Sequence, residues 1–283
     1  MAIAIVTDST SDLSPERAAA LGISVVPLFV LFGDTAYRDV VELSRRDFYY
    51  KLVHESALPG TSQPSATMFE EAFAPLIARG DDVLCICVSS GLSGTSSAAT
   101  AGAQGFDSGR VTIYDSKSAS GGLLLQVLRA QQLAAAGASM AEILAALDRE
   151  RDAQQLFACF TDLSHLQRMG RIGKAAAVIG GLMKIVPVLW LNDGKIEAKA
   201  QIRTIARAHE TMLDLAVASA GNGGDARYIL IHTNALVIAQ SVCERLQARL
   251  GAGYTLPIEI IEAGPAIAAH AGEGAVAIFC TKE

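Results

Sequence analysis

Short, continuous apolar runs alternate with stretches of helical spacing through the first half of the chain. That texture predicts buried strands joined by covering helices. Residues 2–7 read as a first strand, and Ser14-Pro15 supplies an N-cap and a first-turn proline for a helix that Gly22 ends. A second strand is expected over residues 23–32, a turn at Gly33-Asp34 and a short strand over 35–41. Ser44 is placed to cap a helix over 45–54, and Ser65 one running to Ala78. No periodic pattern claims residues 59–65. Strands over 83–88 and 111–114 follow, then helices over 119–136 and 140–152, the second opened by the capping box of Ser139 and Glu142.

The pattern changes near residue 154. A strand over 156–160 leads through a polar, basic connection to an apolar helix over 175–183. Asn192-Asp193-Gly194 between runs 186–191 and 195–200 signals a hairpin. A helix over 204–220, a strand over 228–233, a helix over 235–250 and strands over 257–262 and 275–280 complete the chain. Two α/β domains are therefore expected: an N-terminal one, residues 1–153, with a mostly parallel sheet flanked by helices, and a C-terminal mixed one, residues 154–283.

Composition narrows the function. The chain has 283 residues, 51% of them hydrophobic, and a formal charge of −6 without a basic stripe interleaved with aromatics, which argues against nucleic acid as a partner. No apolar run reaches the length of a transmembrane segment, and the N-terminus turns polar at Thr7 without a basic lead. A cytoplasmic protein is expected, with transient membrane contact left open. The five cysteines are scattered in apolar surroundings, as reduced core thiols would be. Cys85 and Cys87 share one face of a strand with no partner pair, so no metal site is expected.

Candidate chemistry gathers in two hydroxyl-rich turns before helices, Thr61-Ser62 and Ser93-Gly94-Thr95. Amide groups and the positive end of a helix dipole favour an anion at such a place, although each turn alone reads more simply as a loop capping its own helix. Ligands of parallel sheets bind at the carboxyl ends of the strands, an edge that Asp8-Ser9, Thr61, Ser93 and Asp115 are placed to share. Gly91-Leu92-Ser93-Gly94 misses the spacing of a nucleophile elbow by one residue. Ser93 as the nucleophile of a lipid esterase or thioesterase, with His270 as base, is the alternative reading, and nothing marks its acid partner. His54 and His209 lie in polar helical stretches and are expected to be solvated, while His165 and His232 are left open. His270 sits in an apolar, glycine-rich stretch, where a structural and a ligand-contacting role are equally expected.

Five segments in order, VTDSTSDL (6–13), TSQPS (61–65), SSGLSGTSSAA (89–99), GRIGKAAAVIGGLMKIVPVLWLNDGKI (170–196) and IEAGPAIAAHAGEG (261–274), make the chain resemble the DegV family. These are the bacterial fatty-acid-binding proteins that serve as the FakB component of fatty acid kinase. The sequence departs from that pattern at Glu273, where proline is expected, and at Ala269, where a small hydroxyl is expected. The resemblance implies two α/β domains with a long-chain fatty acid in a tunnel between them and no cofactor. It implies a carboxylate met by Thr61, Ser93, the Gly94 amide and His270, with Ser62 and Thr95 close by. It further implies a binding subunit without catalysis of its own, which presents its ligand to a separate FakA-type kinase subunit for acyl phosphate formation. Arg171 and Arg203 would then lie toward the headgroup end, where that subunit docks.

Overall fold

The computed structural model describes residues 2–55, 58–175 and 185–282. The chain forms two compact units: residues 1–151 together with Gly264–Ala266, and residues 152–263 together with 267–283. The expected apolar helix over 175–183 falls almost wholly outside the described residues; Ala175 closes a short 3-10 turn, Gly173–Ala175.

The first unit is built on a parallel sheet of β2 (Ser24–Val26), β1 (Ile3–Asp8), β6 (Asp82–Cys87) and β7 (Val111–Asp115), in that order. Side chains alternate between the two faces of a strand, and β6 is buried on both: Val83, Cys85 and Cys87 face one way, Leu84 and Ile86 the other. The first face packs on Phe69, Phe73 and Leu76 of α3 (Ala66–Ala78) and Ala98 and Ala99 of α4 (Thr95–Ala103). The Cys85 and Cys87 sulfurs lie 3.6 Å apart on that face. Helix α5 (Gly121–Ala135) also belongs to this unit and buries Leu123, Leu124 and Val127.

Helix starts follow the sequence closely. Ser14 caps α1 (Pro15–Leu21), Ser44 caps α2 (Arg45–His54) and Ser65 caps α3, each accepting a backbone N–H three residues on. Ser139 and Glu142 form the capping box before α6 (Met140–Ala153).

Two expectations fail here, for local reasons. The apolar run 23–32 is not one strand: β2 ends at Val26, and β3 (Phe29–Phe32) joins a separate antiparallel sheet with β4 (Thr35–Arg38) and β5 (Gly60–Ser62). Pro27 stands between the pieces, and proline has no N–H to continue a ladder. The other failure is β5 itself, a three-residue strand that no alternation could reveal.

In the second unit a six-stranded sheet runs β10 (Lys195–Ile202), β9 (Val186–Asn192), β8 (Gln155–Cys159), β13 (Val276–Lys282), β11 (Ala226–His232), β12 (Glu259–Glu262). All its pairs are antiparallel except β11 with β12, so the sheet is mixed. The β9–β10 hairpin turns on Asp193 and Gly194, both with positive φ as a tight primed turn requires. Short α7 (Ser164–Arg168) follows β8, and the long helices α8 (Ile205–Ala220) and α9 (Leu236–Leu250) bury Met212, Leu213, Val242 and Leu246 with Phe157, Leu230 and Ile278 of the sheet. His209 is buried, contrary to expectation, because it shares the stripe of Met212, Leu213 and Ala216. Its polar neighbours in sequence lie off that stripe. Helix α10 (Pro265–Ala271) begins in the segment that belongs to the first unit. No helix among the described residues is long and apolar enough to cross a membrane.

Candidate hydroxyl site and buried carboxylates

Parallel strands bring the ends of β1, β6 and β7 to one edge of their sheet. There Val88 N–H donates to Asp8 Oδ2 at 2.8 Å, and Ser90 N–H to Asp115 Oδ1 at 3.1 Å. The turn after β6 is thus bonded to the strand on either side. Thr61 belongs to the other sheet, opposite Val30 in the β3–β5 pair.

After that turn Gly94 opens α4. Its Thr95 N–H donates to Ser93 Oγ at 3.3 Å, and the Ser93 and Thr95 hydroxyls lie 2.8 Å apart, one donating to the other. Thr95 is buried, whereas Ser93 and Gly94 are half-buried. The helix presents its first-turn amides and positive dipole end beside two neutral hydroxyls, an arrangement suited to the oxygens of an anion.

Gln63, the residue after β5, brings the segment that follows Thr61-Ser62 to this turn within the first unit. A Cβ on Gly94 would stand 2.2 Å from Gln63 Oε1, so the Gln63 side chain lies across that glycine. Farther along α4 a Cβ on Gly102 would stand 2.5 Å from the Ala66 carbonyl and 2.9 Å from Phe69 Cβ. Two glycines therefore let the 63–69 segment lie against the α4 segment. Thr61 is half-buried and Ser62 exposed, its hydroxyl donating to the Gln63 carbonyl at 3.4 Å.

The remaining predicted residues belong to the second unit. His270 lies near the end of α10, and burial, with the nearby positive charges of Arg171 and His165, pulls its pKa down to about 4. Although part of the residue reaches solvent, enough protein surrounds the ring to keep it neutral at physiological pH. His165 Nδ1 sits 3.3 Å from the Ala269 carbonyl. Exposed Arg171 donates to the Met169 carbonyl at 2.6 Å, and Arg203 lies exposed on the bend between β10 and α8. At the unexpected Glu273, the carboxylate accepts from Asn234 Nδ2 at 2.6 Å and the carbonyl from Thr161 Oγ1 at 2.7 Å.

Three buried carboxylates do not stand out in the sequence as a group. Asp12 accepts from Gly264 N–H at 2.7 Å and from the Ser120 hydroxyl, and Asp39 accepts from Ala266 N–H at 3.2 Å. Burial raises Asp12 to about 6 despite the bonds from Ser120 and Gly264 and the charge of Arg45. It raises Asp39 to about 7, against a hydrogen bond from Ser9 and with the charge of Asp12 adding to the rise. Asp8 is raised by burial too, against bonds from Thr10 and Val88. Among the described residues no group of His, Cys, Asp and Glu is placed to hold a metal ion.

Comparison with known proteins agrees across the whole length. The family profile described as "Uncharacterised protein, DegV family" matches residues 2–283. A DegV domain-containing protein of Deinococcus radiodurans is 38% identical over 278 residues, 98% of each chain. Among solved structures, a fatty-acid-binding DegV family protein from Thermus thermophilus superposes with a TM-score of 0.91 at 34% identity, covering 100% of both chains. DegV of Bacillus subtilis, described as a fatty acid binding protein, does so with a TM-score of 0.89 at 31% identity, again over 100% of both. With a full-length profile match, a relative at this identity and the same two-domain fold, the chain belongs to the DegV family.

Proposed function

We propose that this protein is a carrier that binds one long-chain fatty acid and presents its carboxylate to a separate kinase subunit, which places a phosphoryl group on a carboxylate oxygen. The observation that carries this reading is the pairing of the neutral Ser93 and Thr95 hydroxyls at the start of α4, with the side chain of Gln63, the residue after Thr61-Ser62, lying against Gly94 between them. Its support from outside the chain is that the T. thermophilus and B. subtilis relatives are described as fatty acid binding. Thr61, Ser93 and the Gly94 amide are assigned to the head, Ser62 and Thr95 to its surroundings, and neutral His270 of the second unit to a further head contact. Arg171 and Arg203, both exposed, are assigned to the approach of the kinase subunit and its anionic phosphoryl donor.

Magnitudes favour such a division of labour. The roughly 15 tail carbons of a sixteen-carbon acid, at ~0.8 kcal/mol per methylene, are worth roughly 12 kcal/mol gross, which survives an association cost of several kcal/mol. Burying a carboxylate costs several kcal/mol more, and charge-assisted hydrogen bonds at ~1.5–3 kcal/mol each offset it. The tail then supplies affinity and the hydroxyls select an acid. Neutral donors also suit a ligand that leaves as an acyl phosphate, because no fixed cation holds the product back.

Delipidated, refolded protein is expected to take up one equivalent of palmitate, measured by calorimetry. Ser93→Ala and Thr61→Ala are each expected to weaken uptake about tenfold, the worth of one charge-assisted bond. Unchanged affinity in both variants would remove the headgroup assignment. Hydrolysis of an acyl ester that vanishes in Ser93→Ala would replace the carrier by an esterase.

A further inference from the structure

Gly94 is a glycine without a backbone reason. Its φ of −80° and ψ of 10° are open to any L-residue. The demand comes from Gln63, whose Oε1, Cδ and Nε2 would lie 2.2, 3.0 and 3.2 Å from a Cβ at that position. Gln63 is held from both sides: it follows the β3–β5 pairing, and Pro64 restricts the residue before it to extended backbone. Yet the residue is exposed, and its carboxamide makes no hydrogen bond to another described residue. A polar side chain that ends against the glycine separating Ser93 from Thr95, with donor and acceptor both unspent within the described residues, is placed to offer them to a group that comes from outside the chain.

We propose that Gln63 is a specificity-determining residue of the head site, where its carboxamide lies over Gly94 and donates an N–H to the acidic oxygen of the ligand. This rests on the carrier reading and extends it. The Thr61, Ser93 and Gly94 donors surround one side of the head, and the Gln63 amide closes the side that Gly94 leaves bare. An amide is suited to this place because it adds a donor without a charge. A carboxylate there offers acceptors only, so it repels an ionised acid but still accepts the hydroxyl proton of a fatty alcohol.

The test is a head-group swap. Palmitate and hexadecan-1-ol are titrated into delipidated wild type, Gln63→Ala, Gln63→Glu, Gly94→Ala and the double variant Gly94→Ala/Gln63→Ala. Gln63→Ala is expected to weaken palmitate about tenfold, and Gln63→Glu more, while the alcohol binds Gln63→Glu at least as well as wild type. Lowering the pH is expected to return palmitate affinity to Gln63→Glu and not to Gln63→Ala. Gly94→Ala displaces the end of a flexible side chain, so it is expected to match Gln63→Ala, and the double variant to be no weaker than either. Equal loss of acid and alcohol in Gln63→Glu, or wild-type palmitate affinity in Gln63→Ala, overturns the assignment while leaving the carrier reading standing. A wild type that binds neither compound overturns both.

Discussion

The first unit gathers hydroxyls and carboxylates at the carboxyl ends of a parallel sheet, with Thr7, Asp8, Ser9, Asp12 and Asp39 all buried. The second fills the space over a mixed sheet with hydrocarbon, and three of its buried or half-buried titratable groups, His209, His232 and His270, are imidazoles kept neutral by burial. Burial acts on both sets in the same way, by disfavouring charge. The consequences are opposite, because an acid is neutral with its proton and an imidazole without it. One fold thus holds a half that proton loss weakens and a half that proton gain weakens.

The hydrocarbon side of this contrast carries the largest expected effect. Leu230 is fully buried at the centre of the second unit, and Leu230→Ala is expected to cost on the order of 3 kcal/mol in urea unfolding. The single tryptophan, Trp190 on β9, reports that unit by fluorescence. A loss under about 1 kcal/mol would show that packing is not what holds this half.

Next comes the alkaline limb in the first unit. Asp12 and Asp39 keep their protons to about 6 and about 7, against 3.8 unperturbed. Their contribution is full below the unperturbed value and is lost as pH rises through the folded values, at up to roughly 1.4 kcal/mol for each pH unit between the two. Hydrogen exchange of β1 and β6 amides is therefore expected to quicken between about pH 4 and pH 7 beyond the intrinsic rate. Asp39→Asn, which keeps an oxygen for Ala266 N–H, is expected to flatten that trend. An unaltered slope in the variant would separate Asp39 from it.

The acid limb of the second unit is expected to be smaller, since part of His270 reaches solvent. Its contribution is full above 6.5 and lost as pH falls through about 4. Trp190-monitored stability should fall over that window, and His270→Gln should reduce the fall; an identical acid profile in the variant would assign the loss to other groups.

How far the sequence revealed these features depended on whether the signal was local. Caps, the Asp193-Gly194 turn and the apolar run of β6 after Asp82 are written in neighbouring residues, and the structure reproduces them. Shared placement of Asp8 and Asp115 at one sheet edge followed from parallel strands alone. The burial of His209 was lost among polar neighbours, though its spacing to Met212 and Ala216 held the answer. Nothing local could have joined Asp12 to Gly264, 252 positions apart. Gln63 lay inside a recognised segment, but only the crowding over Gly94 gives it a role.

The return of Gly264–Ala266 to the first unit bears on the order of synthesis. A ribosome finishes the parallel sheet early, yet Asp12 and Asp39 wait for their amide donors until nearly the whole message has been read. The nascent amino-terminal half must therefore hold each acid one amide donor short throughout translation, Asp12 relying on Ser120 and Asp39 on Ser9, and a fragment cut after residue 151 would stay so permanently.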